Sequence, residues 1–140
     1  MLHAMNTIIE TLLQVGKALF GLKGQLATAR GVRKAVVADF LGGIAQSIEE
    51  ASVLLKDGTY PHGKCQELLA HSGHMVTAIG DLVGEERAKE FGKQLAEVHE
   101  IERLHAELGA VDAERVRKLS VLDQAAGQFR ATAAFVRVSP

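Results

Sequence analysis

Four side chains able to ligate a metal stand close together in this 140-residue chain: His62, Cys65, His71 and His74, spaced His-x2-Cys, five residues, then His-x2-His. Zinc accepts imidazole nitrogen and thiolate sulfur. On a helix, about 100° per residue turns Cys65 toward the apolar direction of Leu68, Leu69, Val76 and Ile79, and His74 to roughly the opposite side. Only a break at Gly73 would bring all four together, so the expectation is a core thiol with surface histidines. His71 and His74 alone supply two ligands, too few for a site, and no metal is expected.

The remaining chemistry-bearing residues are similarly incomplete. Glu102 and His105 form one Glu-x-x-His, whereas a di-iron bundle needs that pair twice, with further glutamates from two other helices. His99 and Glu100 begin as a zincin helix would, but Arg103 stands where the second His belongs. His3, His99 and His105 read as polar or boundary residues. Cys65 has no identifiable base, Ser47 and Ser72 belong to no motif, and the neighbours Glu49 with Glu50 and Glu85 with Glu86 point to different helix sides. Gly16, Gly21 and Gly24 make no phosphate loop. No catalytic set and no cofactor are expected, and the chain reads as non-enzymatic. Arg30, Arg33 and Lys34, like Arg115, Arg117 and Lys118, are short clusters without interleaved aromatics, read as solvated surface. With 16 basic and 17 acidic residues the net charge is −1, so no global field favours nucleic acid.

The elements that would position these residues are helices. Met5, Ile8, Leu12, Val15, Leu19, Leu22 and Leu26 alternate steps of three and four, and Ile9, Leu13 and Phe20 widen that seam into a face suited to two neighbours. The patterning predicts helices over about 5–26, 28–56, 61–80, 85–108 and 112–137, with Thr28 and Asp112 as N-caps, Pro61 at a first helical position, Gly73 as a kink, and Gly58, Gly84 and Gly109 as stops. Gly80 is an alternative stop for the third. Nowhere do residues alternate as in a strand. The expected fold is all-α, an antiparallel up-and-down bundle of four to five helices in a single domain over 1–140.

Apolar residues make up 47% of the chain and charged ones 24%, Trp is absent, and one Cys precludes an internal disulfide. An aliphatic core and a reducing, cytoplasmic setting follow. No apolar run spans a bilayer and no secretory signal is evident. The leading expectation is an interaction or oligomerisation module that binds protein partners and a second copy of itself, with Leu12, Val15, Leu19, Leu22 and Leu26 as interface. A second reading releases the glycine-interrupted first helix, with Lys17 and Lys23, onto a membrane surface. A third is a metal- or small-ligand-binding bundle that uses the histidines.

Overall fold

The computed structural model describes residues 7–97, 101, 105 and 113–140, with side-chain detail from residue 10 and again from residue 115. Its elements are α1 (Thr7–Gly21), α2 (Lys23–Leu26), α3 (Val32–Lys56), α4 (His62–Gly73), α5 (Met75–Val83), α6 (Glu85–Leu95) and α7 (Ala113–Val138). The protein is all-helical, with no strand among the described residues. The expected cap at Asp112 and the stop at Gly109 lie outside those residues.

The first predicted helix is divided at Leu22 into α1 and the single turn α2. The second begins at Val32, not at 28. Its expected cap, Thr28, donates its hydroxyl to the Gln25 carbonyl at 2.6 Å and so closes α2. Gly31 turns the chain into α3 with a φ of +56°, a conformation that a side chain would strain. Three cations at this helix start oppose its dipole, and each finds an acceptor elsewhere, Arg30 at a Pro140 main-chain oxygen 3.4 Å away. Arg33 donates to the Ala78 carbonyl at 2.8 Å and pairs with Asp81, while Lys34 donates to the Ala27 carbonyl at 2.7 Å.

The other end of α3 follows its sequence signals. Gly58, at φ +76°, donates to the Leu55 carbonyl at 3.0 Å, and Thr59 donates to Leu54 at 2.8 Å, the paired bonds of a Schellman stop. Arg115 adds a cation there, donating to the Leu55 carbonyl at 2.7 Å. The predicted third helix is interrupted after Gly73, giving α4 and α5 about His74, as a Ser-Gly pair allows. Gly84 then separates α5 from α6.

Three cross-helix pairings fix directions. Ser52 with Asp123, Glu49 with Arg130 and Asp39 with Arg137 set α3 antiparallel to α7. Glu50 with Lys64 and Ser47 with Glu67 set α4 antiparallel to α3. Glu10 with Arg117 and Lys23 with Phe135 run α1 and α2 alongside α7 in the same sense. The core between them is aliphatic and alanine-rich, with Phe129 and Phe91 its buried aromatic rings. Among the described residues no helix is long and apolar enough to cross a membrane.

Candidate functional site

A polar groove of about 410 Å³ lies between α3 and α4, lined by Gly43, Gln46, Ser47, Glu50, Lys64, Glu67, Ala70 and His71. Two helical stripes build it. Phe40, Gly43, Ser47 and Glu50 follow steps of three and four on α3, and Lys64, Glu67 and His71 do so on α4, so antiparallel packing sets each opposite its partner.

Lys64 bridges the two helices, 2.7 Å from Glu50 and 3.1 Å from Glu67. Buried Ser47 donates to Glu67 at 2.9 Å, and Gln46 donates to Glu50 at 3.0 Å. These bonds favour the charged forms. Lys64, with Gln46, holds the Glu50 carboxyl below its ordinary range, and Ser47, with Lys64, does the same for Glu67. The two carboxylates in turn raise Lys64.

His71 is the exception. Its half-buried ring meets Phe40 edge-on at 5.8 Å and lies so close to Gly43 that a Cβ there would be 3.3 Å from the imidazole. Burial pushes its pKa down, Glu67 opposes that shift and His74 adds to it. A neutral imidazole near a hydroxyl invites comparison with a nucleophile and its base. The chemistry does not follow, because the Ser47 hydroxyl is committed to Glu67, and a carboxylate held below its ordinary range is a weak base. The groove therefore fixes charge between α3 and α4.

The sequence-read residues disperse. Cys65 is buried in the core, as its direction predicted, and His74 is exposed at the helix break. His71 is not the surface residue expected; the missed signal was Gly43 on the opposing stripe, a small residue that admits its ring. His62 stacks on Tyr60 at 5.9 Å, while His105 meets the same ring edge-on at 5.4 Å and lies 3.0 Å from the Gly58 carbonyl. No group of three or more His, Cys, Asp or Glu is placed to hold a metal among the described residues. His3, His99, Glu100, Glu102 and Arg103 lie outside them.

Leu12, Val15, Leu19 and Leu26 are buried within the one chain, and Leu22 is partly covered. An interface using them would have to open the core. Of the paired carboxylates, Glu49 binds Arg130 with two hydrogen bonds, whereas Glu50 faces the groove. Comparison with protein-family models, with curated proteins and with solved structures finds no match.

Proposed function

We propose that this chain is a non-enzymatic cytoplasmic module that acts by binding protein, and first of all a second copy of itself. In this reading its helices form five rods of an up-and-down bundle: α1 with α2, α3, α4 with α5, α6, and α7. The outward face of α7 carries the proposal. Ser120, Gln124, Gly127, Ala131 and Ala134 are all exposed there, and Val116 is 60% exposed near one end.

Gly127 sits well inside a 26-residue helix, where glycine costs roughly 1 kcal/mol relative to alanine. A Cβ at this position would meet nothing within 4 Å, so the chain's own packing does not require the glycine. A second helix drawn close across the face would. How near two helices approach depends on the side chains at their contact, and a two-fold pairing of α7 with its copy uses the same small face twice.

Light scattering on eluting protein tests this directly. The expected species is a dimer that Gly127→Glu and Ala131→Glu convert to a folded monomer. Leu12→Asp and Leu19→Asp should instead unfold the chain, since those side chains are buried within it. A monomeric parent protein, or a dimer indifferent to both glutamates, would sink the proposal.

A further inference from the structure

We infer that the end of the molecule where α2 closes, α3 begins and α7 finishes is a docking surface for an anionic membrane. The sequence supplies an asymmetry that the net charge conceals. Residues 11–38 contain Lys17, Lys23, Arg30, Arg33 and Lys34 and no acidic residue, and residues 124–140 contain Arg130 and Arg137 and again no acidic one.

The fold gathers these stretches. The Arg30 guanidinium lies 3.4 Å from the Pro140 carbonyl, Arg137 pairs with Asp39 at 2.9 Å, and the Lys23 ammonium sits 3.9 Å over Phe20 and 5.4 Å from Phe135. Asp39 and Asp81 neutralise Arg137 and Arg33. Lys17, Lys23 and Lys34 have no carboxylate partner among the described residues, and Arg30 reaches only a main-chain oxygen of the last residue, Pro140. Glu85 and Glu86 begin α6 just after α5, whose Leu82 carbonyl accepts a hydrogen bond from Gln25 of α2.

Apolar side chains project from the same end. Val32 is 82% exposed and Val138 79%, with Val36 half-exposed one turn along α3 from Val32. Isolated valines on a protein surface are ordinary. Valines set among cations without carboxylate partners match the two components of a membrane interface, anionic headgroups outside and hydrocarbon beneath. Charge complementarity selects the anionic surface as occupant. This differs from releasing the first helix, because Leu12, Leu19 and Leu26 stay buried while the end docks. It is also independent of self-association through the outward face of α7.

The test is co-sedimentation of the full chain with phosphatidylcholine vesicles, with and without phosphatidylserine, at two salt concentrations. Binding is expected only with phosphatidylserine and should weaken with salt. Lys23→Gln and Arg30→Gln should each lower partitioning by about fivefold. Val32→Ser with Val138→Ser should lower it further, while Ala131→Glu, aimed at self-association, lowers it by no more than the loss of a second docking end. Circular dichroism confirms that each variant keeps its helix content. Equal binding to both vesicle types, binding to neither, or binding indifferent to the lysine, arginine and valine changes overturns the inference. Retention on polyglutamate without any vesicle binding also overturns it and assigns the surface to an acidic protein segment.

Discussion

The α1–α7 and α3–α4 contacts each place a glycine against the facing helix, yet the two glycines meet different things. At Gly16 a Cβ would lie 2.9 Å from the Gln128 Cβ and 3.3 Å from the Ala125 carbonyl oxygen, atoms fixed to the α7 backbone. At Gly43 it would meet only the His71 ring, at 3.3 Å. Leu12, Leu13, Val15 and Leu19 flank the first glycine, with Ala125, Ala126 and Phe129 across from them. Ser47, Glu50, Lys64 and Glu67 extend from the second. One contact is set by volume and the other by charge, so each should answer to a different perturbation.

The largest effect that would sharpen this contrast is steric. Gly16→Ala should destabilise by about 1–3 kcal/mol, because α7 must shift as a body to admit the methyl group. Gly43→Ala should cost less, since the His71 side chain can turn aside, and its helix propensity gain offsets part of the strain. Urea unfolding of both variants decides the matter; equal losses would mean that the α3–α4 contact is as rigid as the other.

A smaller effect is confined to the groove and depends on pH. His71 is held below its ordinary 6.5 mainly by burial. As pH falls, the unfolded chain takes up that proton first, so stability is complete above pH 6.5 and declines below it until the folded pKa is passed. His71→Phe should flatten the fall in Tm over this interval. Glu50 and Glu67, held below their ordinary 4.5, contribute stability that is lost only at lower pH, so the two windows separate. An unaltered slope below pH 6.5 would show that the ring does not resist protonation in the groove.

The smallest effect belongs to Lys64. Its bridge to Glu50 and Glu67 is solvent-screened, and Lys64→Met should scarcely move Tm while reducing its dependence on salt. A large loss of stability that salt does not change would show that Lys64 holds α3 to α4 by the packing of its aliphatic stem and not by charge.

Where the sequence was readable, the signal was local. Cys65 could be placed in the core because helical phase relative to Leu68 and Ile79 needs no knowledge of the neighbouring helix. Gly58 and Gly73 were readable for the same reason, since a backbone stop or kink is decided by the residues that make it. The start of α3 was not, because Arg33 and Lys34 are accommodated by acceptors on α5 and beside α2, far along the chain or across a turn. The groove was missed because its members are unremarkable on either helix alone. Ser47 carried no motif, and Glu67 became its partner only through antiparallel packing.

The sequence by itself determined that this protein is helical, that its core is aliphatic, and that Cys65 and the α1 seam turn inward, because periodicity acts over one or two turns; Val36, Leu69 and Val116, read inward by the same rule, are exposed. Only the tertiary structure decided that the α1 seam is consumed within the chain, that His71 shares a groove with Ser47 and Lys64, and that two stretches free of acidic residues meet at one end. Those outcomes depend on which helices lie side by side and in what direction. That information resides in contacts between residues distant in the chain, which no local pattern records.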